Sequence, residues 1–277
     1  MYYCGSCTDI PEAISIMNEA NTLRQTFDEV ALLYHAARPR YPAALFSALV
    51  TATGLQPGAR LLEIGPGTGQ ATRPLAERGF DITAVELGAA LADVARHELR
   101  DYKHVNILTG AFEEIILPPS SFDLVYAATA FHWIQPAVKY TKPHDLLKPG
   151  GHLAIIHTHH TSDEKGDVFF NTSQPIFDRY DFTDKHKKPE LSRNSDLRPS
   201  EIDERLFRPL FFKTFPLVII YNAKDYVRLL NTYSNHLVAT KEVQQAFFQE
   251  METLIHDQFG GQVEKHFSMS LTVAKRI

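Results

Sequence analysis

The sequence predicts an α/β fold built around a mostly parallel sheet. From residue 60 onward, short apolar runs typical of buried strands alternate with segments of helical composition. The loop after the first run, within LLEIGPGTG at 61–69, is rich in glycine and opens a helix, which is the order of a βαβ unit. Because parallel strands need right-handed crossover connections, helices are expected on both faces of the sheet.

The alternating region is predicted to hold five strands, at residues 60–64, 81–86, 105–108, 122–127 and 152–157. The predicted helices between them lie at residues 68–78, 89–102 and 136–147. Pro74 and Pro143 fall inside two of these helices. They predict kinks or late starts, because proline lacks an N–H and its ring clashes with the preceding turn.

The pattern divides the chain into an N-terminal helical cover, a core, a polar lid-like insertion and a C-terminal part that completes the sheet: residues 1–54, 55–160, 161–205 and 206–277. The cover is predicted to hold helices that begin near Asp9 and that span 27–38 and 41–50. The insertion lacks a strand-like apolar run. The C-terminal part is predicted to hold strands at 212–221 and 266–274 and helices at 223–232 and 241–258.

Composition indicates an ordinary globular protein. Of the 277 residues, 44% are hydrophobic and 22% are charged, with a formal net charge of -5. This charge argues against general affinity for nucleic acid, because phosphate binding depends on lysine and arginine. No apolar stretch approaches the ~18 residues of a membrane span, and the N-terminus lacks a signal-peptide pattern. A cytoplasmic protein without a nucleic-acid or membrane partner is therefore expected.

Two clusters of potential metal ligands carry little signal. Cys4 and Cys7 form a C-x-x-C, but a zinc site would need two more ligands at matching spacing, so a frayed tail is expected. His157, His159 and His160 end the fifth predicted strand without Asp, Glu or Cys at ligand spacing. No metal cofactor is therefore predicted.

The spacing of the loop glycines indicates the kind of ligand. Dinucleotide-binding folds use G-x-G-x-x-G, whereas Gly65, Gly67 and Gly69 give G-x-G-x-G. Glu63 precedes them inside the strand, where its carboxylate would repel a pyrophosphate but suits a cationic amino group. Glu86 ends the next strand, about 20 residues on, where such folds place a ribose-binding acid. This arrangement resembles the first motif of class I S-adenosylmethionine-dependent methyltransferases.

Further segments resemble the small-molecule branch of that superfamily, which includes the trans-aconitate methyltransferases. They are FDEVALLYHAARPRYP at 27–42, TGAFEEI at 109–115, FDLVYAATAFHWI at 122–134, LKPGG at 147–151 and LLNTYSNH at 229–236. The resemblance implies a Rossmann-like three-layer αβα sandwich. Its sheet has seven strands in the order 3-2-1-4-5-7-6 and ends in an antiparallel pair.

The resemblance also implies S-adenosylmethionine as the cofactor, held by Tyr34, Arg38, Glu63, Gly65, Pro66, Gly67, Gly69, Glu86, Leu87, Ala111, Phe112 and Ala128. Glu86 is expected to accept hydrogen bonds from both ribose hydroxyls, and Leu87 to pack on the adenine. Ala111 stands where many relatives have an acid that holds the adenine amino group. The Phe112 backbone or the Glu113 side chain is expected to replace that acid.

The sulfonium cofactor is already activated, so the protein mainly has to align the acceptor in a dry pocket. His132, just after the fourth predicted strand, is the candidate base, and a packed or capping histidine is the alternative. Trp133 is expected to line the acceptor pocket. Tyr233 and His236 are expected to converge on it from the C-terminal part, although a buried tyrosine with any hydrogen-bond partner is the simpler interpretation.

These residues predict methyl transfer to a small organic acceptor through oxygen, with a carboxylate as one candidate, by direct in-line displacement. One alternative is a binding module that holds S-adenosylmethionine without catalysis, and Ala111 leaves room for it. A second is an NAD-type oxidoreductase on a similar fold, which the glycine spacing disfavours. A third is a nucleic-acid or protein methyltransferase, of which the nucleic-acid form is disfavoured because AATAFHW at 127–133 stands where a D/N-P-P-Y segment is expected.

Overall fold

A computed structural model describes residues 31–162, 167–182, 191–237 and 239–277. The helices in these residues are α1 (Ala31–Ala37), α2 (Ala43–Thr53), α3 (Thr72–Ala76), α4 (Ala89–Glu98), α5 (Thr141–Leu146), α6 (Val168–Arg179), α7 (Ala223–Leu230), α8 (Ser234–Leu237) and α9 (Lys241–Phe259). The helix expected near Asp9 and the Cys4/Cys7 pair lie outside the described residues. Within them, no helix is long and apolar enough to cross a membrane.

The strands are β1 (Arg60–Ile64), β2 (Asp81–Glu86), β3 (Val105–Thr109), β4 (Phe122–Ala128), β5 (Leu147–Ser162), β6 (Ser192–Arg193), β7 (Phe207–Asn222) and β8 (Gln262–Arg276). The sheet runs β3-β2-β1-β4-β5-β8-β7, with β6 pairing only with β5. Strands β1 to β5 pair in parallel, and β8 runs antiparallel to β5 and β7. The expected α/β sandwich and strand order are confirmed, with the two-residue β6 as an addition.

Strand lengths depart from the prediction where strands pair beyond their apolar segments. β1 and β2 have the predicted bounds, whereas β5, β7 and β8 are much longer. The added part of β5 stays in the ladder because His160 pairs with Phe267 on β8, and β8 pairs with β7 as far as Asn222. The hydrogen-bonded partner, not apolar alternation, therefore holds these residues in strands.

The core helices are shorter than predicted. α3 covers only Thr72–Ala76 because the residues before it form a turn that contains Gly69 at a φ of 88°. Pro74 is the third residue of α3, and Pro143 is the third residue of α5. In the first turn a missing N–H breaks no intrahelical bond, so both prolines fit the late starts that they predicted.

The insertion contains a helix that the sequence interpretation missed. Asp167 caps α6 by accepting a hydrogen bond of 2.7 Å from the Phe170 N–H. Phe169 and Ile176 of α6 pack into an apolar cluster with side chains of α7, α9 and β8, here called the cap cluster. Nζ of Lys265 on β8 lies 3.5 Å from Oδ2 of Asp167, and both side chains are buried. The insertion and the C-terminal helices therefore form one cap beside the sheet, not separate parts.

Candidate functional site

The glycine loop follows β1 at the carboxyl edge of the sheet, and its three glycines have different surroundings. All have positive φ, at 66° for Gly65, 57° for Gly67 and 88° for Gly69. A Cβ at Gly65 would lie 2.6 Å from the Ala130 Cβ, and one at Gly69 would lie 2.9 Å from the Leu99 Cδ1. Gly65 therefore allows the turn after β4 to approach the loop, and Gly69 allows the end of α4 to approach it.

Two neighbouring cavities meet at this loop. The apolar cavity is lined mainly by apolar side chains: Ile64, Val85, Leu87, Leu91, Phe112, Ala130, Trp133 and Ile134, with Glu86, Gly110 and His132. The polar cavity is lined by Pro39, Tyr41, Glu63, Pro66, Gln70, Ala71, Thr158, His160 and Phe267. Both are lined by Tyr34, Arg38, Gly65, Gly67, Ala128, Thr129 and Tyr233. An elongated ligand with one apolar and one polar end would fit across the boundary.

Glu86 is fixed at the wall of the apolar cavity by backbone groups. Its Oε2 accepts a hydrogen bond of 2.8 Å from the Gly67 N–H, and its Oε1 accepts one of 2.9 Å from the Gly88 N–H. The residue is only 6% exposed. Since each carboxylate oxygen accepts more than one hydrogen bond, both oxygens can still receive a ligand hydroxyl.

Glu63 is fully buried and uses one of its two oxygens. Its Oε2 accepts hydrogen bonds from the Thr72 hydroxyl at 2.5 Å and the Tyr126 hydroxyl at 2.7 Å. Within the part of the chain that the structure describes, Oε1 has no hydrogen-bond partner. Burial raises the pKa of Glu63 to about 7, although the two hydroxyl donors oppose that change. The free oxygen is suited to a hydrogen-bond donor that carries positive charge.

Arg38 spans the boundary between the cavities. Its guanidinium carbon lies 4.8 Å from the centre of the Tyr34 ring and 4.4 Å from that of Tyr233. Nη2 donates to the Thr232 carbonyl at 2.7 Å, which ties the N-terminal cover to the cap. Nε of Arg38 and Nε2 of Gln70 are buried and have no hydrogen-bond partner among the described residues. The polar cavity is thus lined by two residues that carry a buried donor without a partner in the described part of the chain, and by Glu63, which carries a buried acceptor without one.

His132 lies on a short 3-10 turn, Phe131–Trp133, directly after β4. Its ring is 4.8 Å from that of Trp133, measured between centres, and both residues line the apolar cavity. Burial, aided by the nearby Lys139 charge, lowers the pKa of His132 below its ordinary value. The imidazole is therefore neutral near pH 7 and keeps a lone pair that can accept a proton.

Of the two residues expected at the pocket from the C-terminal part, Tyr233 lines the cavities and His236 does not. Tyr233 lines both cavities, and its hydroxyl lies 3.3 Å from Nε2 of His160. His236 lines neither, because its Nδ1 bonds the Leu230 carbonyl at 2.7 Å and its ring packs against Phe182 and Phe247 in the cap. The expected convergence of His236 on the pocket is thus corrected to a place behind Tyr233, 5.9 Å from its ring.

Four other expected residues also have distinct positions. Ala111 lines neither cavity, whereas Phe112 lines the apolar one. The Glu113 carboxylate accepts a hydrogen bond of 3.1 Å from the Gln135 N–H, so it fixes the turn after His132. Gly69 lines neither cavity and contacts Leu99 instead. Residue 111 therefore contributes neither an acidic side chain nor wall surface to the two cavities.

The histidines on β5 are spread along the strand. His157 lies 6.1 Å from His132 and 6.0 Å from His159, between ring centres, and Nε2 of His159 is 2.8 Å from the Ser270 hydroxyl. Burial, with neighbouring histidines and Lys139, lowers the pKa of His157 to about 4. In the described ranges, no group of three or more His, Cys, Asp or Glu side chains could hold a metal ion.

Several residues at the cavities were not singled out from the sequence. Tyr41, Gln70, Thr129 and Thr158 all line the polar cavity. Thr129 and Thr158 carry a usable signal, because Thr129 directly follows β4 and Thr158 lies just past the part of β5 that pairs with β4, near the edge where ligands of such sheets bind. Gln70 directly follows the glycine loop. Tyr41 precedes the core in sequence, and no local pattern indicated that it would contact the site.

Comparison with known proteins finds similarity to methyltransferases over part of the chain. Residues 62–155 match the family model described as "Methyltransferase domain". An uncharacterised methyltransferase of Mycobacterium tuberculosis is 33% identical over 161 residues, which is 56% of this chain and 63% of that protein. The chain thus matches less than two thirds of that relative's length.

Two solved structures share the fold. A protein of Anaeromyxobacter dehalogenans assigned as a type II methyltransferase superposes with a TM-score of 0.56, at 21% identity, over 86% of this chain and 97% of that one. A protein of Bacillus halodurans assigned as a methyltransferase gives a TM-score of 0.51 at 18% identity, over 84% of this chain and 98% of that one. Residues 62–155 are thus similar to a methyltransferase domain, and the chain as a whole shares its fold with these two structures.

Proposed function

We propose that this protein binds S-adenosylmethionine across the two cavities and transfers its methyl group to a small organic acceptor through an oxygen atom. A carboxylate is one candidate acceptor group. The observation that carries the proposal is the contrast between the cavities. One is apolar with a fixed carboxylate, and the other has buried Arg38 Nε, Gln70 Nε2 and Glu63 Oε1 atoms without partners among the described residues. A nucleoside joined to an α-amino acid has the matching polarity.

The apolar cavity is assigned to the adenosyl part. Leu87 and Phe112 supply apolar surface for the purine, and Glu86 accepts the ribose hydroxyls on the oxygens that Gly67 and Gly88 already orient. The Glu113 carboxylate is engaged by Gln135, so we assign the adenine amino contact to the backbone at Phe112. We assign Ala128, which lines both cavities, to the junction between the adenosyl and methionyl parts of the ligand.

The polar cavity is assigned to the methionyl part. The carboxylate of the ligand would pair with Arg38 Nε and Gln70 Nε2, and its ammonium group with Glu63 Oε1. Tyr34, Gly65 and Pro66 complete the wall on the loop side. Each buried polar atom then gains the partner that it lacks, which removes a desolvation cost of about 1–3 kcal/mol per group.

When bound, S-adenosylmethionine supplies a methyl group on a sulfonium leaving group. The protein has to hold the acceptor oxygen in line with that methyl group and exclude water. His132 accepts the acceptor proton where there is one, because its neutral imidazole faces the cavity. Trp133 packs on the acceptor, and the Tyr233 hydroxyl orients it. His236 supports the Tyr233 ring from the cap.

The cap and the N-terminal cover are proposed to form the lid over the acceptor. The bond from Arg38 to the Thr232 carbonyl joins these two regions beside the cavities. The buried Lys265 and Asp167 pair holds the start of α6 against β8. Apolar packing in the cap cluster then excludes water from the side opposite the glycine loop.

Isothermal calorimetry with S-adenosylhomocysteine tests the binding part of this proposal. We expect measurable heat and a raised melting temperature with this product, and neither with NADH. Incubation with methyl-labelled S-adenosylmethionine and a panel of small carboxylic acids and phenols tests transfer. Absence of heat with the product would reject the proposed site. Binding without label transfer to any acceptor would favour the non-catalytic alternative.

A further inference from the structure

We propose that Thr129 is a positioning residue for the cofactor, held in a strained backbone conformation by a chain of three hydroxyl groups, Tyr41–Thr129–Thr158. The inference rests on the proposed function, because it assigns a role at the boundary between the adenosyl and methionyl cavities. Thr129 is the residue just after β4 and lines both cavities.

The backbone of Thr129 lies in the left-handed region, with a φ of 58°. Among the described non-glycine residues, only Ser120 and Asp181 also have positive φ, at 48° and 62°. Thr129 alone of these is β-branched, and a β-branched side chain crowds the backbone in this region. Such strain persists only where the surrounding structure fixes it, and it concentrates at functional sites.

Three contacts fix this conformation. The Thr129 N–H donates to the Ile156 carbonyl at 2.7 Å. Its hydroxyl lies 3.0 Å from the Tyr41 hydroxyl and 3.2 Å from the Thr158 hydroxyl. Tyr41 comes from the segment between α1 and α2, and Thr158 comes from β5, so two elements hold the turn from opposite sides. Burial raises the pKa of Tyr41, so its phenol stays protonated as a hydrogen-bond donor.

The turn has a direct structural consequence at the glycine loop. It places Ala130 so close to Gly65 that a Cβ on Gly65 would be 2.6 Å from the Ala130 Cβ. The backbone at Thr129 thereby sets the distance between the end of β4 and the loop. The sulfur of the proposed cofactor would cross this gap, so a shift of the turn changes both halves of the binding site together.

Glycine at this position would adopt the same φ without strain but would lack both hydroxyl contacts. Threonine at position 129 is therefore unfavourable for the backbone conformation, but its hydroxyl anchors the turn to Tyr41 and Thr158. A structural role would be served equally well by glycine. A positioning role requires the anchored side chain, and the two roles predict different behaviour for Thr129→Gly.

The test measures melting temperature and S-adenosylhomocysteine affinity for four variants. We expect Thr129→Gly to bind the product about tenfold more weakly, because two hydroxyl contacts are lost, while the relief of strain at the positive φ partly offsets their loss in the melting temperature. Thr129→Ser keeps the hydroxyl and is expected to bind within about twofold of the wild type. Tyr41→Phe and Thr158→Val each remove one contact and are expected to weaken binding by about threefold.

Ser120→Gly is the matched control, because it relieves a positive φ in the loop before β4, far from the cavities. It is expected to leave product affinity unchanged. Wild-type affinity in Thr129→Gly would overturn the positioning role. If that variant does not fold, unchanged affinity in both Tyr41→Phe and Thr158→Val would overturn it. Absence of binding by the wild type would instead reject the proposed function itself.

Discussion

The two cavities at the glycine loop differ in how their polar groups are satisfied. In the apolar cavity, the Glu86 carboxylate already accepts hydrogen bonds from two backbone N–H groups. In the polar cavity, Arg38 Nε, Gln70 Nε2 and Glu63 Oε1 are buried without a partner in the described residues. The first group of contacts is complete before a ligand binds, and the second is not.

This difference indicates that the apolar half of the site is preorganised and that the polar half is not. A carboxylate held by backbone groups keeps its orientation whether or not ligand is present, so it can select a ribose at low cost. Buried polar groups without partners raise the free energy of the unliganded protein. Binding of a ligand that supplies those partners removes this cost. We therefore expect the apolar cavity to supply recognition of the nucleoside and the polar cavity to distinguish the amino-acid end.

The largest expected effect comes from Glu86→Ala. The variant loses the ribose contacts and also releases the Gly67 and Gly88 N–H groups that the carboxylate holds. We expect S-adenosylhomocysteine affinity to fall by about 100-fold, since charged hydrogen bonds contribute about 1.5–3 kcal/mol each. Calorimetry measures this loss, with the exposed Glu204→Ala as the control. Equal affinity in the two variants would contradict the assignment of Glu86.

Arg38→Ala sharpens the comparison, because Arg38 lines both cavities but is assigned to the amino-acid end of the ligand. S-adenosylhomocysteine should bind about tenfold to 100-fold more weakly, since the partner of its carboxylate is gone. Adenosine, which lacks the amino-acid part, should bind this variant as it binds the wild type. Parallel titrations with both ligands measure the contrast, and Arg38→Lys separates charge from the planar guanidinium geometry. An equal loss for both ligands would remove the distinction between the cavities.

The sequence predicted the preorganised half of the site better than the other half. The glycine loop and Glu86 are separated by one βαβ unit, so local spacing places them at one edge of the sheet. The strand order was implied by the family resemblance, because the apolar pattern alone does not determine it. The bounds of β5 and β8 were missed because cross-strand pairing, not apolar alternation, extends them past the sheet edge.

The polar half depends on contacts between residues far apart in the chain. Arg38 reaches the Thr232 carbonyl, and Tyr41 reaches Thr129, from a segment whose local pattern indicates only a helix end. Helix α6 was interpreted as part of a polar insertion, because its apolar residues are buried by elements that follow much later in the sequence, among them α7, α9 and β8. His236 was expected at the pocket because it lies with Tyr233 in the LLNTYSNH segment that carries the family resemblance, but its ring packs against Phe247 of the cap cluster.

A smaller effect is expected from Glu63→Gln, and it appears in the pH dependence. The new amide oxygen can still accept from Thr72 and Tyr126, so the buried contacts are kept while an amide N–H faces the cavity. In the wild type, Glu63 with a pKa of about 7 ionises as pH rises, and only the ionised form attracts the ligand ammonium. Product affinity should therefore increase roughly tenfold from about pH 5.5 to 7.5 in the wild type and stay flat in the variant.

The same titration affects stability in the opposite direction. The folded-state pKa of Glu63 is raised from 4.5 to about 7, so the folded protein holds a proton that the unfolded chain has released between these values. Stability of the unliganded wild type should accordingly fall as pH rises through that window, and Glu63→Gln should remove this part of the dependence. Thermal melts of both proteins measure it, and parallel pH profiles would contradict the raised pKa.

The smallest effect on cofactor affinity is expected from His132→Asn, because His132 is assigned to the acceptor. Product binding should stay within about twofold, while turnover of an acceptor that must lose a proton should fall by about 100-fold. For an acceptor that is already a carboxylate, no base is needed, and turnover should change little. The loss of turnover with a given acceptor therefore identifies its class. A large loss indicates an acceptor that must lose a proton, and a small loss indicates a carboxylate. A fall in product affinity as large as the fall in turnover would instead place His132 among the cofactor contacts, since a general base acts on the chemical step and not on ground-state binding.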